Sequence, residues 1–210
     1  MRYHEIIQPE LDEGRDAPLF HFTDIETLAA KILPENVLRA SNPSMARGSG
    51  DDGAGKSVSF TRNLNTAFFK GLGGVLIINQ TALSHRYKIV PQYGDSPKFA
   101  SWDSQKEQEE RVYSDIAPLN RYVKAVGAAL KLPLEDDPNS LGLASWNEDL
   151  RKNRIRYRVN LLTPLAEYNA KYNIPIVLKS SIKMNGTWKQ DITQDILEYL
   201  EKYRDQAKQD

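Results

Sequence analysis

The apolar residues of this 210-residue chain come in short runs, and that constrains the fold more than any other feature. Leu19–Thr23, Val37–Ala40, Ser57–Arg62, Val75–Asn79, Tyr87–Pro91, Glu109–Tyr113 and Ile174–Lys179 each read as a strand of a few residues. A run this short cannot bury enough surface alone, so it must pair with its like. Between these runs lie helical patterns. Asp24 caps one that carries Ile25, Leu28, Ala29 and Ile32 and stops at Pro34. Asn63–Lys70 reads as a short helix and Thr81–Ser84 as a single turn. The spacing of Leu119, Tyr122, Val123, Val126 and Leu130 predicts a helix over Pro118–Leu130. A long basic-to-apolar pattern over Asn147–Tyr172 predicts a helix kinked or divided at Pro164. An amphipathic helix is predicted over Asp191–Ala207. Short strands mixed with helices give an α+β fold.

Ser41–Lys56 and Gln92–Lys106 read as loops, and Leu132–Asn139 as an acidic, proline-broken linker. A chain of this length can bury a core without covalent staples. There is no cysteine, which excludes disulfides, thiolate metal sites and a cysteine nucleophile. Three histidines, His4, His21 and His85, leave little for a histidine-rich metal centre. Twenty-eight basic residues balance 28 acidic ones, which argues against a general polyanion binder. No secretory h-region and no span-length apolar stretch are read, so a soluble cytoplasmic protein with no membrane partner is expected.

Three of the strand-like runs set polar residues into apolar surroundings. Phe20-His21-Phe22-Thr23 offers an imidazole and a hydroxyl, both suited to fixed hydrogen bonds with a ribose or an amide. Ser59 and Thr61 share one side of a strand, with Val58 and Phe60 on the other. Glu107, Glu109 and Glu110 crowd carboxylates ahead of Val112. Strand alternation places Glu109, Arg111 and Tyr113 on one face and Glu110 and Val112 on the other. A carboxylate on a strand end can stabilise a developing cation or bond a ribose hydroxyl. Solvent-facing hydroxyls and a solvated charge run are the plainer readings of the same residues.

One formal motif points elsewhere. Gly50–Ser57 fits G-x-x-x-x-G-K-[ST]. A phosphate loop needs a strand before it and a helix after it. Here Ser44–Ser49 is no strand, Val58-Ser59-Phe60 alternates as one, and Asp51 and Asp52 would repel phosphate.

The order of the three polar runs resembles the ADP-ribosyltransferase superfamily, nearest to the DarT-like or phage-type branch. His21-Phe22-Thr23 resembles the first element, Ser59-Phe60-Thr61-Arg62 the serine/threonine strand, and Gln108–Val112 the strand of the catalytic glutamate. The resemblance covers about residues 19–130. It shows a histidine where the arginine-led class has arginine, and S-F-T in place of S-T-S. Glu107 and Glu109 form an E-x-E.

The resemblance implies a split β-sheet core with peripheral helices and a helical C-terminal part. Residues 1–131 would form the NAD-binding core. Residues 132–210 would form an extension packed on it as part of the same domain. It implies NAD as a bound substrate, no metal, and transfer of ADP-ribose to a protein or nucleic-acid acceptor. Glu109 would stabilise the oxocarbenium-like state. His21, Phe22 and Thr23 would hold the dinucleotide, and Ser59 and Thr61 would brace its ribose. Arg47 or Arg62 would meet the pyrophosphate, and Phe68 or Phe69 would stack on nicotinamide. Tyr93, Phe99, Trp102 and Glu107 would contact the acceptor. A non-catalytic binding protein on the same fold and a phosphate-loop hydrolase are the competing readings. The basic stretch Arg151–Arg158 is a soluble helix face or, if it faces solvent, a nucleic-acid contact.

Overall fold

The computed structural model describes residues 18–41, 56–64, 71–91, 109–132, 134 and 148–208. The strands are β1 (Pro18–Thr23), β2 (Val58–Thr61), β3 (Gly74–Asn79), β4 (Val90–Pro91), β5 (Glu109–Val112), β6 (Val123–Ala128) and β7 (Ile176–Leu178). They form one seven-stranded sheet in the order β4-β5-β2-β1-β3-β6-β7. Neighbours run antiparallel except β6 and β7, which are parallel. The fold is α+β.

Asp24 opens the first helical run as the sequence predicts. Its backbone is extended, and its carboxylate accepts from the Thr27 N–H at 2.6 Å. The run passes through Ile25–Thr27, a π-helical Leu28–Ile32 and Leu33–Glu35, taken together as α1. Pro34 lies inside its last turn, and the stop comes at Asn36, which adopts the left-handed conformation. Gln80–Ser84 forms α2, Glu148–Tyr172 forms α3 and Thr193–Tyr203 forms α4. The α3 helix runs through Pro164 as one 25-residue element rather than dividing there.

The helix predicted over Pro118–Leu130 is wrong. Leu119–Arg121 is a short 3-10 turn, and Val123–Ala128 is a strand between β3 and β7. Ala125, Val126, Gly127 and Ala128 are buried in succession, so both faces of β6 are covered. A strand buried on both faces shows no alternation, and its apolar residues imitate helical spacing.

The register sorts the core into two faces. Leu19, Val58, Phe60, Leu76, Ile78, Val112, Val126 and Ile176 face the helices, among Leu28 and Leu33 of α1, Ile155, Val159 and Leu162 of α3, and Ile196 and Leu200 of α4. Among the described residues, the opposite face holds a much smaller cluster, Phe20, Val75, Ile77, Ala125 and Val177, with Phe22, Leu64, Ile182 and Trp188 packed at its margin. Among the described residues, part of this second face is covered by the turn between the bridged Ile182 and Trp188. Gly186 sits in that turn at φ +73°, and a Cβ there would stand 2.7 Å from the Pro18 ring. The stretch beyond residue 132 is therefore not only helical: it gives the sheet β7 and gives the second face its cover.

Among the described residues, no helix is long and apolar enough to cross a membrane.

Candidate functional site

The three polar runs lie on neighbouring strands, β5-β2-β1, although they are far apart in the sequence. Four residue pairs join β2 to β5: Val58↔Val112, Ser59↔Arg111, Phe60↔Glu110 and Thr61↔Glu109. Six pairs join β1 to β3, from Pro18↔Asn79 to Thr23↔Gly74. Between β1 and β2 there is a single pair, Phe20↔Thr61. The resemblance leads one to expect two small sheets with a cleft between them. The strands instead form one continuous sheet that is almost parted at β1/β2, because backbone pairing stops after Phe20.

His21 occupies the parting. Its Nδ1 lies 2.9 Å from the backbone carbonyl oxygen of Ser59, so an imidazole N–H replaces a ladder bond between the strands. The ring meets Phe60 edge-on, with centroids 5.9 Å apart. Burial holds the imidazole below its ordinary pKa, and the Ser59 carbonyl opposes that only in part. The ring is thus held as a neutral donor at Nδ1, which leaves Nε2 as an acceptor.

Directly paired residues share a face, which divides the predicted site residues. Thr61 pairs with Phe20 and so belongs to the face of the smaller cluster, as does Ser59 two residues earlier. Phe22 lies on the same face. His21 and Thr23 alternate onto the helix-covered face. The two halves of the predicted grip therefore meet only along the β1/β2 parting. Ser59 is exposed. Thr61 is 2% exposed, and its Oγ1 accepts from the Asn63 N–H at 2.9 Å, capping the chain as it leaves β2. Only one of the two expected hydroxyls is thus at the surface.

The paired carboxylates also separate. Glu110 is buried opposite Phe60 and accepts from Arg62 Nε at 2.5 Å. Both side chains of that ion pair are nearly inaccessible, 14% for Arg62 and 10% for Glu110. Arg62, a candidate for the pyrophosphate, is engaged here in tying the end of β2 to β5. Glu109 stands across the ladder from Thr61. Arg47, Phe68, Phe69, Tyr93, Phe99, Trp102 and Glu107 lie outside the described residues.

Sequence reasoning missed the Arg62–Glu110 pair. Its only signal was weak: the two are opposite charges within separate strand-like runs, and nothing in the sequence pairs those runs.

The phosphate-loop alternative fails on local geometry. Ser57 bridges to Ser41 and leads directly into β2, so no helix follows the motif to aim its N–H groups at a phosphate. Among the described residues, no three acidic or histidine side chains gather as a metal site would require. No protein-family model matches this chain, and no curated protein or solved structure matches it.

Proposed function

We propose that this chain is an NAD-dependent mono-ADP-ribosyltransferase acting on a protein or nucleic-acid acceptor, with Glu109 as its catalytic carboxylate. The observation that carries this reading is the β1/β2 parting. The three polar runs converge on adjacent strands, backbone pairing fails between two of them, and the His21 imidazole spans the gap to Ser59. A nucleotide laid along that gap meets His21 and Thr23 from one strand and Ser59 from the other.

In the reaction the bond between the nicotinamide nitrogen and ribose C1′ breaks, and nicotinamide leaves with the bonding pair. The ribose passes through an oxocarbenium-like state, and an acceptor nucleophile bonds to C1′ and sheds its proton. A fixed carboxylate lowers the energy of that cation. Of the two adjacent glutamates, Glu110 is committed to Arg62 inside the protein. Glu109, across the ladder from Thr61, is the carboxylate we assign to the chemistry. His21 acts as a hydrogen-bonding group, since burial disfavours its charged form.

The test is incubation with labelled NAD and a cell lysate, with and without nuclease. The reading expects label on macromolecules and release of nicotinamide, both lost in Glu109→Gln. Nuclease-sensitive label identifies a nucleic-acid acceptor and protease-sensitive label a protein. Neither label nor nicotinamide release, with NAD unbound, would refute the proposal.

A further inference from the structure

The turn between Ile182 and Trp188 crosses the second face of the sheet beside the single pair that joins β1 to β2. Thr61 of β2, Phe20 of β1 and Ile77 of β3 pair in succession and form one row on that face. At the β3 end of the row the turn is closely seated: a Cβ on Gly186 would stand 2.7 Å from Pro18 Cβ and 3.4 Å from Ile77 Cγ2. Toward the β2 end, the Met184 sulfur accepts from the Leu64 N–H at 3.3 Å. Leu64 follows shortly after Thr61 and packs on the cluster that holds Phe20. Hydrogen bonds inside the turn fix its shape. The Lys183 N–H donates to the Thr187 carbonyl and the Gly186 N–H to the Lys183 carbonyl. The Asn185 side-chain oxygen accepts from both the N–H and the hydroxyl of Thr187. The turn therefore spans from Pro18, at the start of β1, to Leu64, just past β2. The sulfur that makes the second contact belongs to a side chain that is 45% exposed.

We propose that Met184 is a site of reversible oxidation by hydrogen peroxide, and that its sulfoxide unlatches the turn from the end of β2 and loosens the Phe20↔Thr61 pair. In the step, a sulfur lone pair attacks one peroxide oxygen. An S–O bond forms, the O–O bond breaks, and the other oxygen leaves as water once the proton has moved to it. The sulfur gives up two electrons and the peroxide takes them. A thioether is a weak acceptor on an apolar side chain, so it can hold the Leu64 N–H while resting on the cluster. A sulfoxide is polar, and its oxygen is better served by water than by an apolar margin. The exposure of Met184 gives peroxide a path to the sulfur, and the bond to Leu64 gives the oxidation a structural consequence. The Phe20↔Thr61 pair bounds the β1/β2 parting, so loosening it lengthens the gap. The proposal holds whatever ligand the parting takes.

The full-length protein is treated with hydrogen peroxide, oxidation of each methionine is read by peptide mass spectrometry, and amide hydrogen exchange is compared before and after. The expected result is a sulfoxide at Met184 and exchange at the Leu64 amide about tenfold faster. Exchange across Val58–Thr61 should rise with it, while α3 and α4 stay unchanged. Methionine sulfoxide reductases acting on both epimers should restore the slow exchange. Met184→Leu keeps an apolar side chain of similar volume and lacks the sulfur. Its Leu64 amide should exchange fast before peroxide and be unmoved by it, although Met1 and Met45 remain. Resistance of Met184 to peroxide in the folded protein would overturn the proposal. So would oxidation that leaves exchange at Leu64 or across β2 at its original rate, or a peroxide effect of equal size in Met184→Leu.

Discussion

The two faces of the sheet are built for different tasks. One is covered by α1, α3 and α4 and carries most of the buried apolar side chains. Among the described residues, the other carries a small cluster of five buried residues, with a turn across part of it. Ser59 and Phe22 lie on the second face, and β1 and β2 part beside them. Among the described residues, the helices pack on the first face and bury most of the apolar core there. His21 and Thr23 alternate onto that same face and Ser59 onto the other, so these polar groups meet only along the parting.

Substitutions on each face should separate the two roles. The largest stability loss is expected from Arg62→Ala, which leaves Glu110 buried without the guanidinium. Removing one partner of a buried ion pair costs about 3–5 kcal/mol, read as a lower urea midpoint. Replacing both, as Arg62→Met with Glu110→Leu, should restore much of that loss. Next comes Leu162→Ala on the helix-covered face. Leu162 is 1% exposed, and a cavity there should cost about 2–5 kcal/mol with little effect on NAD affinity. Gly127→Ala probes the second face. Its new methyl would press on Ile182 and on Val75, the β3 partner of Phe22, an overpacking of about 1–3 kcal/mol that also disturbs β1 beside the parting. NAD binding should weaken in that variant and hold in Leu162→Ala; the reverse pattern would break the comparison.

A smaller effect is expected from pH. The His21 imidazole has a folded pKa below its ordinary value of 6.5. As pH falls through 6.5 the unfolded chain takes up a proton before the folded one does, so stability declines in that window and below it. His21→Gln should flatten the decline, seen as a weaker pH dependence of the denaturation midpoint. The same sign applies to Asp24, whose carboxyl is held below its usual range chiefly by the Thr27 N–H. Its contribution is present above the ordinary carboxylate pKa and fades as pH falls through the lowered one.

The strands that frame the site were legible because each exposes a polar face or a polar end. Ser59 amid Val58 and Phe60, and Glu109 to Val112, alternate with the period of a strand, and β1 ends in polar residues. The Asp24 cap was legible because its chemistry is local. β6 was not, since burial on both faces removes the alternation that marks a strand. The division of His21 from Ser59 and Thr61 was illegible for another reason. It depends on one residue pair, Phe20↔Thr61, formed between segments whose separation the sequence does not reveal. That Arg62 turns inward to Glu110 was likewise not legible.

The central claim is that the parting between β1 and β2 holds NAD for cleavage with Glu109 as the catalytic group. Nicotinamide release from NAD, compared between wild type and a Glu109→Gln protein shown to be folded by its unchanged melting curve, tests it most directly. The account predicts release by the wild type and a loss of about 10²–10³-fold in the variant, the scale set by removing one preorganised electrostatic group. Equal release by the two proteins, or a folded wild type that neither binds nor cleaves NAD, would contradict it.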